Sequence, residues 1–295
     1  MHSPPKLVAV DIDGTLLPST SQIITPRNAQ ALRAVQQAGI TLVVATGRRT
    51  AFLTPLLEPL GLRADTPLIT SNGAVTHTLH GDPIDSHCIE TRVARGLCTL
   101  LRPFGTMVIT FNRPGARELV VESLEGAHPE IERWMRSNRD SMEFVEPLES
   151  VFDQGEQPIQ GMVSGSVARM LQAEEAISAS PWANLCESAR TEYPARDLSF
   201  LDLLPAGVCK GWALERLAGR LGIDRKETMA IGDNWNDVGM LEWAGQPVLM
   251  GNASLELRAM AKTNGWKQAP SNDHDGVAVV LEDALRRSAK AEARA

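Results

Sequence analysis

The chain has 295 residues, of which 43% are hydrophobic and 22% charged, and its formal net charge is −7 at pH 7. These proportions are close to the globular average and exclude a mainly disordered chain. The acidic balance disfavours a general nucleic-acid surface, and no apolar run approaches the roughly 18 residues that cross a membrane.

The first 80 residues alternate between strand-like and helix-like patterns. The first apolar run ends in carboxylates and predicts a buried parallel strand. Thr25 and Pro26 then predict the N-cap and first residue of a helix. This alternation is typical of a parallel sheet covered by helices. The predicted strands are residues 6–11, 40–45 and 67–70, and the predicted helices are residues 26–38 and 49–60, the second kinked at Pro55.

The same alternation returns near the end of the chain, whereas the middle is richer in strand-like runs. We therefore predict an α/β core with a Rossmann-like parallel sheet, formed by residues 1–82 and 205–295, and an inserted α+β domain of residues 83–204. In the middle we predict strands at residues 106–111, 118–122, 159–163 and 198–204 and helices at 91–101, 129–138 and 167–179. Towards the end we predict strands at 227–231 and 247–250 and helices at 210–221, 238–243, 254–261 and 276–289.

Polar segments follow four of the core strands. In parallel α/β folds, ligands bind beyond the carboxyl ends of the strands, so these segments are expected to form one site. Lys210 begins the helix before the last of these strands. The segments are Asp11-Ile12-Asp13-Gly14-Thr15, Thr46-Gly47-Arg48, Ser71-Asn72-Gly73 and Gly232-Asp233-Asn234-Trp235-Asn236-Asp237.

Four carboxylates, those of Asp11, Asp13, Asp233 and Asp237, would crowd this site. Two like charges about 4 Å apart repel by roughly 4 kcal/mol at an effective dielectric of 20, so a divalent cation and Lys210 are expected to offset them. Carboxylate and carbonyl oxygens suit Mg²⁺, which often shares a substrate phosphate. The sequence therefore predicts a Mg²⁺ site that receives an anion, and a phosphate is the anion expected.

Asp11 and Asp13 lie two residues apart, and in an extended segment such residues face the same side. One carboxylate can attack phosphorus and form an aspartyl-phosphate, while the other protonates the leaving oxygen and later deprotonates water. The alternative of an EF-hand loop fails, because Leu16 and Gln22 stand where that loop requires Gly and Glu. Asp13-Gly14 could also be only a turn.

These motifs together resemble the haloacid dehalogenase-like (HAD) phosphatase superfamily, in its Cof-like branch of class IIB. The matching segments are DIDGTLL, VVATGR, SNGA, PAGVCKGWAL and GDNWNDVGML, with MGNAS and SNDHDGVA near the end. The resemblance covers almost the whole chain. It implies a HAD core with an inserted C2-type cap that selects the substrate, and a Mg²⁺-dependent phosphomonoesterase acting on a small phosphorylated metabolite such as a sugar phosphate. A cytoplasmic location is expected because the N-terminal residues lack a charged region followed by a long apolar one.

The resemblance also implies a role for each matching residue. Asp11 would be the nucleophile and a metal ligand, and Asp13 the general acid/base, with its backbone carbonyl on the metal. Asp233 would be the third metal ligand, with Asn234 nearby. The phosphate would be held by the Ile12 backbone, Thr46, Gly47, Lys210 and Asn236, with Asp237, Arg48 and Asn72 in support.

Some residues have more than one interpretation. Arg48 reaches the phosphate or the cap, or forms a surface salt bridge. Trp235 shapes the substrate pocket or packs at a helix start. The histidines at 77, 80 and 87 lie close to Cys88 in sequence but lack metal-ligand spacing, and the four cysteines match no zinc template and are expected to be reduced thiols.

Two other functions use the same motifs. A phosphomutase or phosphotransferase would form the same aspartyl-phosphate but pass the phosphoryl group to an acceptor other than water. A non-catalytic sensor of a phosphometabolite could dispense with the nucleophile, so intact Asp11, Asp13 and Lys210 argue against it. The partner expected in every case is a small phosphorylated metabolite, with no nucleic acid and no membrane.

Overall fold

The computed structural model describes residues 4–113, 117–124 and 127–292, and side chains as far as residue 289. The chain forms two compact units. The first consists of Met1–Asp85 and Cys209–Ala295, and the second of Ser86–Val208. No helix in the described part of the chain is long and apolar enough to cross a bilayer.

The strands of the described residues fall into two sheets. In chain order they are β1 (Leu7–Val10), β2 (Thr41–Ala45), β3 (Pro67–Thr70), β4 (Val75–Thr78), β5 (Pro83–Ser86), β6 (Thr106–Thr110), β7 (Leu119–Val121), β8 (Met142–Phe144), β9 (Gln160–Gly165), β10 (Cys186–Tyr193), β11 (Leu198–Pro205), β12 (Thr228–Gly232), β13 (Gln246–Leu249) and β14 (Lys267–Gln268).

The α-helices alternate with these strands in the first unit and pack on the sheet in the second. In chain order they are α1 (Pro26–Gln37), α2 (Thr50–Leu57), α3 (Thr91–Leu101), α4 (Pro129–Ser137), α5 (Val167–Ser178), α6 (Lys210–Arg220), α7 (Val238–Trp243), α8 (Leu255–Thr263) and α9 (Gly276–Glu292).

The first unit contains an eight-stranded sheet in the order β14-β13-β12-β1-β2-β3-β4-β5. The strands from β14 to β3 run parallel, and β4 returns antiparallel to β3. β1 lies between β12 and β2, with Val10 beside Ile231 and Val44. The carboxyl ends of β12, β1 and β2 therefore lie side by side, and the predicted parallel α/β core is confirmed.

Both faces of this sheet are buried because alternate residues of β1 enter different cores. Val8 and Val10 pack with side chains of α1, α2 and α9, whereas Leu7 and Ala9 pack with those of α6, α7 and α8. A strand buried on both faces reads as one continuous apolar run, which is why this strand is visible in the sequence. Burying each large aliphatic side chain contributes about 1.5–3 kcal/mol.

The second unit has a six-stranded sheet in the order β10-β11-β9-β6-β7-β8, antiparallel except for β7 with β8. One face packs on α3 and α5, and part of the other packs on α4. The unit is thus α+β, as its sequence predicts. Strand β10 is not predicted from the sequence because CESARTEY is polar, and in the structure only two of its eight residues are buried.

Candidate active site

The segment after β1 is one wide turn, Ile12–Leu16, closed by the Leu17 N–H, which donates to the Ile12 carbonyl at 2.9 Å. The prediction of a strand continuing into Asp11 is wrong, since β1 ends at Val10. Gly14 has φ +82, and a Cβ at this position would lie 2.2 Å from Asp233 Oδ2. Glycine is required here both by its left-handed conformation and by the approach of the Asp233 carboxylate.

A buried lysine joins two carboxylates at the carboxyl edge of the sheet. Lys210 Nζ donates to Asp11 Oδ1 and to Asp237 Oδ1, both at 2.7 Å, and its side chain is 0% exposed. Lys210 is the first residue of α6, and Cys209 caps this helix by accepting a hydrogen bond from the Trp212 N–H. The helix start thus places an ammonium group beside the end of β1.

Three carboxylates form a cluster around this lysine. Ligand atoms of Asp11, Asp233 and Asp237 all lie within 4.8 Å of one another, and all three residues are buried. Asp237 is held in place by its second oxygen, Oδ2, which accepts the N–H groups of Asp233 at 2.9 Å and Asn234 at 3.0 Å. Asp13 is not part of this cluster.

The charges of the cluster shift the pKa values of its members. Burial and the charge of Asp237 raise the pKa of Asp11 to about 7, although Lys210 opposes the shift. Burial and the charges of Asp11 and Asp237 raise the pKa of Asp233 as well. Burial alone would lower the pKa of Lys210, but the two carboxylates outweigh it and hold that pKa above its usual range. One ammonium group is therefore too little positive charge for three buried carboxylates.

Asp13 faces a different cation. Arg48 binds it through two hydrogen bonds, Nε to Oδ2 at 2.8 Å and Nη2 to Oδ1 at 2.7 Å, and Nη2 also donates to Gln22 Oε1 at 3.0 Å. The Asp13 side chain is 35% exposed, so it borders solvent while Asp11 is buried. Of the interpretations of Arg48, the salt bridge is the one seen here, and its partner is Asp13, the predicted acid/base.

The ends of β2 and β3 supply hydroxyl, amide and backbone groups. Thr46 is fully buried, its Oγ1 accepts the Arg48 N–H at 3.1 Å, and its carbonyl accepts the Asn72 N–H at 3.1 Å. Gly47 lies against the Asn72 amide, since a Cβ there would be 3.0 Å from Asn72 Nδ2. Asn236 Nδ2 donates to Asn72 Oδ1 at 3.1 Å. These contacts bring Thr46, Gly47, Asn72 and Asn236 together.

The turn at the end of β3 adopts an unusual conformation. Ser71, Asn72 and Gly73 have φ values of +48, +52 and +107. A Cβ on Gly73 would lie 2.5 Å from the Cys209 carbonyl oxygen, so the turn packs directly against the start of α6. Left-handed non-glycine residues are uncommon and cluster at functional sites.

Three other residues singled out in the sequence have structural contacts. The Asn234 side chain is a helix cap whose Oδ1 accepts the Trp235 N–H at 2.9 Å. The Ile12 side chain is buried in the core beside α1, α2 and α9. Trp235 packs against the core formed by α6, α7 and α8. This contact agrees with the packing interpretation of Trp235.

His77 has neighbours that explain its burial. Its Nε2 lies 2.8 Å from Thr50 Oγ1 and its Nδ1 lies 2.8 Å from the Thr78 carbonyl oxygen. Both ring nitrogens are therefore engaged by hydrogen-bonding groups, and burial lowers the pKa of His77. Among the described residues, one group of three or more His, Cys, Asp or Glu side chains is spaced to hold a metal ion, and it is the aspartate cluster. The histidines near Cys88 do not form such a group there.

Two residues to which the sequence assigned no individual role contact Asp233. Thr15 Oγ1 donates to Asp233 Oδ1 at 2.8 Å, and Asn252 Nδ2 lies 3.3 Å from Asp233 Oδ2. Thr15 belongs to the first motif and Asn252 to the MGNAS segment. The segment was visible in the sequence, but nothing in its composition indicates which distant carboxylate it meets.

The chain is similar to known phosphatases along nearly its whole length. Residues 8–281 match the family model of haloacid dehalogenase-like hydrolases. The chain is 30% identical to the phosphatase YwpJ of Bacillus subtilis (strain 168), with 95% of this chain and 100% of YwpJ covered. It is 28% identical to the 5-amino-6-(5-phospho-D-ribitylamino)uracil phosphatase YwtE of the same organism, with 95% and 98% covered.

The fold is similar to that of a solved sugar phosphatase. The structure of the HAD subclass IIB sugar phosphatase BT4131 superposes with a TM-score of 0.72 at 23% identity, covering 94% of this chain and 98% of that protein. At this identity, the similarity concerns the fold.

Proposed function

The chain belongs to the haloacid dehalogenase-like hydrolases. From this premise we propose that it is a Cof-like member of class IIB that hydrolyses a small phosphorylated metabolite through an aspartyl-phosphate on Asp11, with Mg²⁺ bound. It is a phosphatase of this family. One observation carries the proposal, the buried Lys210 that bridges Asp11 and Asp237 at the carboxyl edge of the parallel sheet.

Asp11 is the proposed nucleophile. A carboxylate oxygen forms a bond to phosphorus while the bond from phosphorus to the leaving oxygen breaks, and the phosphoryl group passes to the enzyme. Lys210 supports this step because its ammonium lies 2.7 Å from Asp11 Oδ1, keeps that oxygen oriented and offsets charge on the transferring group. Asp237 in turn holds Lys210 and is itself fixed by two backbone N–H groups.

Asp13 is the proposed acid and base. In the first step it gives its proton to the leaving oxygen, and in the second it takes a proton from the water that attacks phosphorus, which frees Asp11 and releases phosphate. Its position supports these roles, because it follows the nucleophile by two residues and borders solvent. The two hydrogen bonds from Arg48 orient the Asp13 carboxylate in the protein without substrate.

The groups at the ends of β2 and β3 are the proposed phosphate ligands. Thr46 provides a hydroxyl group and Asn236 provides a side-chain amide. Gly47 provides its backbone, which lies close to the Asn72 amide. Ile12 contributes its backbone. Phosphoryl transfer depends mainly on positioning and on neutralising the phosphate oxygens, and this donor set suits that task.

The donor set fits Mg²⁺. Three buried carboxylates share one ammonium, and the pKa values of Asp11 and Asp233 are raised, so a divalent cation would relieve the cluster. Asp11 and Asp233 would hold it, with the Asp13 backbone carbonyl and water. When bound, the ion would polarise the phosphate and neutralise its charge.

The substrate is proposed to be a small phosphate monoester. YwtE, which the chain resembles, is named for a phosphorylated ribitylamino-uracil, and BT4131 is named as a sugar phosphatase. Both names describe a phosphate on a polyhydroxylated carbon chain. A sugar or sugar-alcohol phosphate is therefore the class with which the search for a substrate begins.

The experiment that tests the proposal is phosphate release from a panel of phosphorylated metabolites with Mg²⁺. Wild type is compared with Asp11→Asn and with Asp65→Asn, the same change at an exposed aspartate paired with Arg63. Turnover is expected in wild type and Asp65→Asn and is lost in Asp11→Asn, with the fold retained by circular dichroism. Turnover in Asp11→Asn at the wild-type rate would contradict the covalent mechanism.

The same panel separates hydrolysis from transfer. A mutase or phosphotransferase would release little phosphate from any single compound. It would instead transfer the phosphoryl group to an acceptor molecule. A preference for one group of compounds, lost in Asp11→Asn, names the substrate class.

A further inference from the structure

Three asparagine side chains from separate segments hold the wide turn that follows β1. Asn28 of α1 donates to the Leu16 carbonyl at 3.3 Å, and Asn272 donates to the Leu17 carbonyl at 2.8 Å. Asn252 donates to the Gly14 carbonyl at 2.8 Å. The turn carries Asp13, so its geometry depends on side chains from three separate segments.

Asn252 differs from the other two because its amide also reaches a carboxylate of the cluster. The Nδ2 group has two hydrogens, one directed to the Gly14 carbonyl and the other to Asp233 Oδ2 at 3.3 Å. Its Oδ1 accepts the Asn272 N–H at 3.1 Å, which fixes which end of the amide faces the turn. Asn252 therefore joins the turn after β1 to the end of β12.

The donors to Asp233 are neutral, unlike the donor to Asp11. Thr15 Oγ1 donates to Oδ1 of Asp233 and Asn252 to Oδ2, so each oxygen accepts one hydrogen bond and keeps a second lone pair. Lys210 by contrast brings a positive charge to Asp11. The Asp233 carboxylate is thus oriented without being neutralised, which is what a ligand of a cation requires.

The Gly14 contact acts on a second proposed ligand. The Gly14 carbonyl is one peptide away from the Asp13 carbonyl, and Gly14 has a left-handed φ of +82. The two peptide planes share the Gly14 Cα, so anchoring the Gly14 carbonyl leaves only the φ and ψ angles of Gly14 free to turn the Asp13 carbonyl. A single amide group therefore constrains both the Asp233 carboxylate and the backbone that presents the Asp13 carbonyl.

We propose that Asn252 is a positioning residue for the cation, which holds Asp233 and the Asp13-Gly14 backbone in the arrangement that binds Mg²⁺. This role rests on the proposed function, since that proposal supplies the metal. It assigns Asn252 no contact with substrate or with the reacting atoms. Its loss weakens metal binding rather than chemistry, as is usual for groups that orient metal ligands.

The test is metal binding by the metal-free full chain. Wild type, Asn252→Leu, Asn252→Ala and Asn264→Leu are titrated with Mg²⁺ by calorimetry and with Mn²⁺ by electron paramagnetic resonance. Leucine matches the shape of asparagine but donates no hydrogen bond. Asn264, another exposed asparagine at the end of α8, provides the matched control. Unfolding temperatures of the metal-free proteins show whether each variant is folded.

The dissociation constant for Mg²⁺ is expected to rise about tenfold or more in both Asn252 variants and to stay at the wild-type value in Asn264→Leu. Raising Mg²⁺ to saturation is expected to return kcat toward that of wild type, which a general loss of structure would not allow. Dissociation constants within twofold of wild type, or an equal rise in Asn264→Leu, overturn the role of Asn252 and leave the proposed function standing. Absence of Mg²⁺ binding by wild type overturns both.

Discussion

At the residue scale, the site separates two aspartates that are neighbours in sequence. Asp11 is buried against Lys210, and its pKa is raised to about 7, whereas Asp13 borders solvent and is paired with Arg48. Two carboxylates of the same type thus receive different surroundings. A nucleophile held by a buried ammonium and an acid/base near solvent suit the two steps proposed for them.

Replacing the proposed acid is expected to affect substrates unequally. Asp13→Ala should lose about 10²–10⁴-fold in kcat on a sugar phosphate, because the leaving alkoxide then departs without a proton. On nitrophenyl phosphate, whose leaving group is a stable phenolate, the loss should be much smaller. Steady-state kinetics on the two substrates measure the difference, and equal losses would argue against an acid role.

The raised carboxyl pKa values predict a pH dependence of metal binding. Below pH 7, protons compete with Mg²⁺ for Asp11, and the raised pKa of Asp233 acts in the same direction. The apparent dissociation constant for Mg²⁺ should therefore rise as the pH falls from 8 to 6, by up to about tenfold per unit for each proton displaced. Calorimetric titrations across this range provide the measurement, and a constant affinity would contradict it.

At the element scale, the start of α6 depends on close packing of glycines. A Cβ on Gly211 would lie 2.3 Å from the Gly239 carbonyl oxygen in α7, and a Cβ on Gly73 would lie 2.5 Å from the carbonyl of Cys209. The lysine reaches Asp11 only because α6 begins against α7 and the turn after β3. The small residues around Lys210 are therefore part of the site's architecture.

Two alanine substitutions in α6 should have opposite effects. Gly211→Ala should destabilise the protein by about 1–3 kcal/mol, because the added methyl group forces α6 from α7. Gly219→Ala in the same helix meets nothing within 4 Å and should stabilise it by about 0.5–1 kcal/mol.

Urea unfolding midpoints of the two variants measure these changes. Activity should fall in Gly211→Ala and stay unchanged in Gly219→Ala. Similar stability changes in the two variants would show that the contact between α6 and α7 is not tight.

At the scale of the whole molecule, the first unit assembles its site from both ends of the chain. Thr15 meets Asp233 across 218 residues of sequence, and Asn252 meets Gly14 across 238. The site therefore exists only when residues on both sides of Ser86–Val208 have folded together. The assignment of substrate choice to residues 83–204 remains a prediction.

Metal binding should stabilise the folded chain as a whole. A ligand bound only by the native state adds about 2.7 kcal/mol at a concentration of 100 times its dissociation constant, so Mg²⁺ should raise the unfolding temperature in a concentration-dependent way. EDTA should remove both this shift and activity, and Mg²⁺ should restore them. Ca²⁺ should restore activity poorly, because its coordination is larger and looser.

Thermal unfolding of wild type, Asp233→Asn and Asp65→Asn provides the measurement. The shift with Mg²⁺ should persist in Asp65→Asn and be much smaller in Asp233→Asn. An equal shift in Asp233→Asn would exclude Asp233 as a metal ligand.

The sequence by itself determined the parallel core, the family and the edge of the sheet at which polar residues gather. The core and the edge follow from local patterns, since a buried parallel strand reads as an apolar run and its end is marked by polar residues and glycine. The family follows from the resemblance of the motifs. The polar strand β10 was not predicted, because its partly exposed residues form no apolar run in the sequence.

Only the tertiary structure decided which charges meet. The pairing of Asp13 with Arg48, the bridge of Lys210 between Asp11 and Asp237, and the reach of Asn252 to Asp233 each join separate segments. A sequence pattern specifies the type of each side chain and the face of the helix or strand on which it lies. The partner of that side chain depends on how loops close and helices pack, which neighbouring residues in the sequence do not encode.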